Sequence, residues 1–317
     1  MAIQTTTNTQ PTATYLNKTY YDRTLLETAK ANIVYANFGQ KRSIPRNNGK
    51  VVEFRRWTLF TPDKTTQALT EGVTPSSQSL GQTKVEATVA QYGAYVEISD
   101  LLELTAYDQV IDDTAELLGE QLGIVVDNVT RDAMIADASN QFAGGAVSAA
   151  AITGTAYLTV DEIRKAVRTL KANKARRFSG NGRSGHFVCI VDPYATYDLQ
   201  SDSLWQDVSK YSNAKQIYAG EIGRLFGVVF VETTEGYVAN NSSSVPVHHS
   251  LIFGADAYGV IDVAGSGVLQ TIIKPRGSAG TADPLDQRST VGAKVMGYTA
   301  KVLNSLWIID ILHVVHA

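Results

Sequence analysis

The chain has one cysteine, Cys189, among 317 residues, so no disulfide can form within it. Cys189 sits in the apolar run His186–Val191, where a small buried hydrophobe is expected. No apolar run approaches the roughly 18 residues that a membrane-spanning helix needs. Met1 to Thr14 is rich in Thr, Gln and Asn and lacks the charged region, apolar core and cleavage site of a signal peptide. A soluble protein made in a reducing compartment is expected, with no membrane partner. Excess charge is missing too: 28 Lys and Arg face 31 Asp and Glu, a formal charge of −3, which argues against a generic nucleic-acid binder.

Motifs of catalysis are scarce. Gly180, Gly182 and Gly185 spell G-x-G-x-x-G, but they follow a predicted helix and precede a predicted strand, the reverse of what phosphate binding requires. There is no P-loop and no G-x-S-x-G elbow. His248 and His249 are adjacent and would point to opposite faces of a strand. His313 and His316, with Asp310 nearby, diverge in the same way, so neither pair makes a metal site. No catalytic, cofactor-binding or metal residue is expected. An enzyme is the weakest of the readings considered, and it would need a pocket near His248 or His313.

Proline is also absent between Pro75 and Pro193, and a long helix fits in that gap. Ile111, Ala115, Leu118, Leu122, Val125, Val129, Ala133 and Ala136 recur at steps of three and four from about Asp108 to Ala138. About 30 residues make a rod of roughly 45 Å, against a radius of gyration of about 20 Å for a chain of this length. Asp108 is the expected N-cap, with Asp112 and Asp113 in the first turns. Asp108, Asp112, Asp113, Glu116, Glu120, Asp127, Asp132 and Asp137 stand against the single Arg131, so the rod needs water or a basic partner.

Residues 1–17 are a polar arm, followed by a short helix from Tyr21 to about Phe38 and a basic link with Lys41, Arg42, Arg46 and Lys50. Val51–Phe60 and Gln82–Ile98 read as strands, with a bulge near Gln91 where the alternation shifts phase. Between them lie about 20 residues with few large apolar groups, a length uncommon in a compact domain unless it is functional. After the long helix, Asn140–Ala156 reads as a loop or junction. Thr159 and Glu162 form a capping box for a helix carrying Ile163, Ala166, Val167 and Leu170, with basic residues from Arg164 to Arg183 on its other face and exit. A buried strand, Phe187–Val191, leads through Asp192-Pro193 to a third helix. Strands follow at Gly223–Glu232, Leu251–Val263, Val268–Lys274, Ala293–Leu303 and Leu306–Val315. The fold class is α+β, with mostly antiparallel sheets.

This order resembles the major capsid proteins of tailed phages, with the Hong Kong 97-type shell fold, and the N-four-type family most closely. The stretches that carry the resemblance are Tyr20–Leu26, Lys50–Trp57, the loop Leu69-Thr70-Glu71-Gly72-Val73-Thr74-Pro75, and Tyr95–Asp100. The resemblance implies an N-terminal arm over 1–48 and an extended E-loop hairpin over 49–98. It implies a peripheral domain with the spine helix over 99–158 and 264–317, and an axial domain over 159–263. It further implies a virion shell of hexamers and pentamers around double-stranded DNA, assembled in the bacterial cytoplasm. Portal, and decoration or scaffolding proteins, are possible partners. A cargo nanocompartment of the encapsulin kind shares the fold and is the alternative. The residues expected between subunits are Lys50, Arg55 and Arg56 at the hairpin root, Leu69, Glu71 and Val73 in its loop, and Asp112, Asp113, Glu116 and Glu120 on the helix.

Overall fold

A computed structural model describes residues 34–206 and 221–316, apart from positions 46, 59, 66, 106–109, 181–182, 264–268, 279 and 281–282. The polar arm, most of the expected first helix, and the expected cap Asp108 lie outside the described residues.

The described chain opens with a turn of 3-10 helix at Tyr35–Asn37 and strand β1, Gln40–Ile44. Strands β2, Val51–Trp57, and β3, Gln82–Thr88, pair as an antiparallel hairpin. Strand β4, Ala90–Ser99, runs into helix α1, Asp100–Thr105, and helix α2, Val110–Asp137. Next come β5, Ser139–Phe142; helix α3, Val160–Ala172; β6, Phe178–Gly180; β7, Arg183–Val191; and helix α4, Pro193–Ser201. The remaining strands are β8, Glu221–Leu225; β9, Val228–Glu232; β10, Val238–Asn240; β11, Pro246–Phe253; β12, Tyr258–Val263; β13, Gln270–Lys274; β14, Arg288–Val302; and β15, Ile308–His313.

Two sheets organise these elements. One has the order β1-β12-β14-β13 with β4 also on β14, and the other runs β5-β15-β11-β7-β9-β8 with β10 on β11 and β6 on β7. Strand β14 alternates along its length, so Val291, Ala293 and Val295 are buried while Thr290, Gly292 and Lys294 are not. Its buried side packs with Ala115, Leu118, Leu122, Val126 and Met134 of α2 in one cluster. Near Gly297, at φ +78, the register against β4 shifts between Val295 and Tyr298; a Cβ there would lie 2.6 Å from a Val263 methyl, so only glycine fits. The second core lies between α3 and the larger sheet. Ile163, Ala166 and Leu170 are buried with Phe187, Cys189, Phe230, Ile252 and Ile309.

The structure corrects several sequence expectations. The stripe of α2 holds through Leu122, but its second half buries Val126, Asp127, Thr130 and Met134 rather than Val125, Val129, Ala133 and Ala136. Two of those buried residues are polar, and an apolar pattern cannot see them. Asp127 Oδ1 accepts the backbone N–H groups of Val34 (3.0 Å) and Tyr35 (2.8 Å), and Thr130 shares a hydrogen bond with the Tyr298 hydroxyl at 2.7 Å. The expected bulge near Gln91 falls where the pairing of β4 with β14 is irregular, between Ala90 and Tyr92, and the same point is a change of sheet: Val89 donates to the Lys50 carbonyl, after which the chain leaves β2 for β14. Leu251–Val263 is two strands in different sheets, separated by a corner where Asp256 has φ +58 and Ala255 donates to the Arg176 carbonyl. The capping box is not formed. Thr159 makes no side-chain cap, Glu162 instead binds Lys165 and Gln141, and Asp202 accepts the Val160 N–H. The expected junction Asn140–Ala156 opens in a strand: Ser139–Phe142 form β5, parallel to β15.

Strand β15 and β5 belong to the larger sheet, whereas β1, β4 and β12 belong to the smaller one.

Asp127 ties the N-terminal segment to α2. Replacing it with Ala leaves two buried N–H groups without an acceptor, which costs about 1–3 kcal/mol. Urea unfolding of Asp127→Ala should show that loss.

Candidate functional site

The hairpin is anchored at one end only. Val52, Phe54 and Val89 pack on the small cluster of Ile44, Ala87 and Ile261, and beyond that root its described residues are exposed, apart from the half-buried Asp63 and Val85. Its loop is closed at the base by Thr58 N–H donating to the Gly81 carbonyl (2.9 Å). Within it, Val73 N–H donates to the Thr70 carbonyl across a β-turn with Gly72 at φ +76, a conformation that glycine adopts without strain. Leu69 is 76% exposed and Val73 62%, and Glu71 is exposed beside them. Trp57, Phe60 and Leu80, which were not among the sequence candidates, add to the same apolar surface. A two-stranded ribbon buries too little to hold such groups by itself.

A second apolar surface was not foreseen either. Helix α1 buries none of its residues, and Leu101, Leu102 and Leu104 are exposed, as is Leu117 on α2. Three leucines in a six-residue helix do not draw a stripe with a period, so their spacing does not reveal which side they occupy.

Charge is distributed around these surfaces. Lys50, Arg55 and Arg56 are exposed on the hairpin root, with Arg55 bonded to Glu53 on its own strand at 2.6 Å. On α2, Asp113, Glu116 and Glu120 are exposed and enter no ion pair among the described residues, while Asp112 is half-buried with Oδ1 unpartnered among them. Within one chain the hairpin bases and the helix acids are not paired with each other among the described residues. The later acids of the helix do have partners: Asp132 binds Arg131 and Asp137 binds Lys301. Part of the basic face of α3 is likewise matched at home, Arg164 with Asp161 and Lys165 with Glu162, and beyond its exit Arg176 pairs with Asp256.

The histidines are engaged in the larger sheet. His248 pairs with Asp192 (2.5 Å), His249 with Asp310 (2.6 Å) and His316 with Asp198 (2.7 Å), so Asp310 serves neither His313 nor His316. His313 faces the Ser250 hydroxyl at 2.8 Å and lies fully buried. No group of three or more possible metal ligands occurs among the described residues.

A model of the family described as phage capsid protein matches residues 123–264. That span runs from the middle of α2 to the end of β12 and includes neither hairpin nor α1. No curated protein matches the chain. Among solved structures, the capsid of Ralstonia phage GP4 superposes with a TM-score of 0.68 at 14% identity, over 90% of this chain and 89% of that one. The chain has the fold of phage capsid proteins. The capsid of cyanophage Pam1 gives 0.64 at 13% identity, over 90% and 94%. The virus-like particle from Pyrococcus furiosus gives 0.50 at 11%, over 91% and 96%. This α+β capsid fold is the Hong Kong 97 type expected from the order of elements.

Two buried groups give this fold opposed responses to acid. Burial lowers His313 to about 4, so between pH 6.5 and 4 the unfolded chain takes a proton that the folded one refuses, and stability falls with pH. Burial raises Asp127 to about 6 against the pull of its N–H donors, so between pH 6 and 3.8 the folded chain takes the extra proton, and stability rises as pH falls. At 1.36 kcal/mol per pH unit each effect is worth roughly 3 kcal/mol, and the two largely cancel. Denaturant midpoints measured from pH 7 to pH 4 should therefore fall more steeply in Asp127→Asn than in the unaltered chain, and less steeply, or rise, in His313→Leu.

Proposed function

We propose that the protein is the major capsid protein of a tailed phage, of the N-four type, which assembles into an icosahedral shell of hexamers and pentamers around double-stranded DNA. The observation that carries this reading is the capsid fold bearing an exposed apolar hairpin that its own chain does not cover. A match of the phage capsid family to residues 123–264 favours a phage shell over a cargo compartment. The role is structural rather than catalytic, located in the virion, with assembly in the host cytoplasm and with portal and scaffolding or decoration proteins as companions. In this reading α2 and the five-stranded sheet form the peripheral domain, the eight-stranded sheet forms the axial domain, and β2–β3 with their loop form the E-loop.

The loop supplies the adhesion. Burying an exposed Leu, Val or Phe side chain stabilises by about 1.5–3 kcal/mol, so Trp57, Phe60, Leu69, Val73 and Leu80 together can offset an association cost of about 4–15 kcal/mol. We therefore assign Leu69, Glu71 and Val73 to a contact with a neighbouring copy. Limited proteolysis should cut between Thr61 and Gly81 in the free subunit and be slowed at least about tenfold in shells; equal cutting in both would count against the assignment.

The inner wall of such a shell must release its DNA. Three of the bases on that surface, Arg164, Lys165 and Arg176, are already paired with Asp161, Glu162 and Asp256 of the same chain. Free subunit should bind a labelled duplex at 150 mM salt no more tightly than the ~10⁻⁴–10⁻⁶ M of non-specific binding. Nanomolar affinity by fluorescence anisotropy would make residues 164–183 a nucleic-acid site.

A further inference from the structure

At the hairpin root a cleft of about 560 Å³ opens between β2–β3, β1 and the corner that carries Arg176, Asp256 and Trp307. Four guanidinium groups line it, those of Arg42, Arg55, Arg56 and Arg176, together with the rings of Phe54 and Trp307. Two carboxylates answer them: Glu53 binds Arg55 at 2.6 Å and Asp256 binds Arg176 at 2.7 Å. Arg42 and Arg56 have no carboxylate partner among the described residues. Arg56 Nη1 instead reaches the side-chain oxygen of Asn304 (3.2 Å) when that amide is turned toward its donors. The cleft therefore carries two uncompensated positive charges beside an aromatic surface.

The counterpart is on α2. Asp113, Glu116, Leu117 and Glu120 fall at i, i+3, i+4 and i+7, which places them on one helix face within about 10.5 Å of axis. All four are exposed, Leu117 to 65%. Like charges three and four apart repel by a few tenths of a kcal/mol, and the face holds no cation to relieve them. It presents what the cleft lacks: carboxylates around one apolar side chain.

We propose that this cleft seats the Asp113–Glu120 face of α2 from a second copy of the chain, with Leu117 against Phe54 and Trp307 and the carboxylates against Arg42 and Arg56. The inference rests on the shell reading, and it adds Arg42, Phe54, Trp307 and Leu117 to the residues expected between subunits. A phosphodiester backbone would satisfy the arginines but would leave Leu117 and the two rings without a role, so a helix face is the better occupant. Because the charges are partly exposed, they act over a Debye length of about 10 Å at 0.1 M salt and weaken as salt rises.

The test is a charge exchange. Arg42→Glu with Arg56→Glu, and separately Glu116→Arg with Glu120→Arg, should each lower shell yield about tenfold at 0.1 M salt, by light scattering and negative-stain microscopy. The chain carrying all four substitutions should recover most of it. Circular dichroism of the free subunits checks that the variants fold. A second arm mixes Arg56→Cys chains with Leu117→Cys chains: disulfide-linked dimers should form in mixed shells and not in free subunit, with no interference from the buried Cys189. No recovery in the fourfold variant and no cross-link would overturn the pairing while leaving shells intact. Unaltered protein that forms no shells would remove the shell reading itself, and the pairing with it. Nanomolar duplex binding abolished by Arg42→Glu with Arg56→Glu would also overturn it, by making the cleft a DNA site.

Discussion

The packing of α2 on β14 is the contact on which the rest of the molecule hangs. Strand β14 spans 15 residues and joins β4, β12 and β13, and through β12 it reaches β1. A strand that long curls unless something flattens or bends it, and here a glycine-marked break near Gly297 supplies the bend. The helix buries its apolar side on the same strand, so one face of the sheet is sealed along nearly its whole length. The hairpin leaves this platform from β4, and α1 joins the platform to the helix. Both exposed apolar surfaces are therefore fixed to this packed platform.

That placement suits a protein whose work is to adhere to its own copies. An apolar loop on a mobile stalk would lose more entropy on docking than the contact returns. Anchoring the root through Phe54, Val52 and Val89 against Ile44, Ala87 and Ile261 lowers that cost, because only the loop between Thr58 and Gly81 has to be ordered by the neighbour. Phe54 is also close enough to β12 that a side chain on Gly259 would collide with it, at 2.9 Å from the ring. The hairpin root and the smaller sheet are thus fitted to one another.

Much of this was legible in the sequence because it rests on periodicity and breakers. Helix α2 lies within two residues of its expected limits, and the strands of the hairpin, β7, β9, β14 and β15 lie near theirs. What escaped was set by partners distant in the chain. Asp127 looks like one more acid on a solvated face; it is a buried acceptor because Val34 and Tyr35, more than 90 residues away, deliver their N–H groups to it. Leu251–Val263 reads as one strand because its residues are uniformly apolar; it turns because the Arg176 carbonyl crowds Gly254 and captures the Ala255 N–H. Of the proposed contact residues, the bases and acids could be named from segregation of charge. Leu101, Leu102, Leu104 and Leu117 could not, since an exposed leucine differs from a buried one only in what surrounds it.

The charges follow a division that matters for assembly. Asp132, Asp137, Glu162 and Asp256 are each matched by a base of the same chain, and the exposed pairs of Asp137 and Asp256 are worth about 0–1 kcal/mol apiece. They contribute little to folding, but they remove charge from surfaces that could otherwise attract the wrong partner. Among the described residues, the charges without an ion-pair partner include Lys50 and Arg56 at the hairpin root and Asp113, Glu116 and Glu120 in the first turns of α2, two groups of opposite sign. Bases and acids left over on a chain of nearly neutral total charge can neutralise each other between copies without building up net charge as copies are added. Each contact can then stay weak and reversible, so a misplaced subunit leaves, while a closed shell holds through the number of contacts that every copy makes at once.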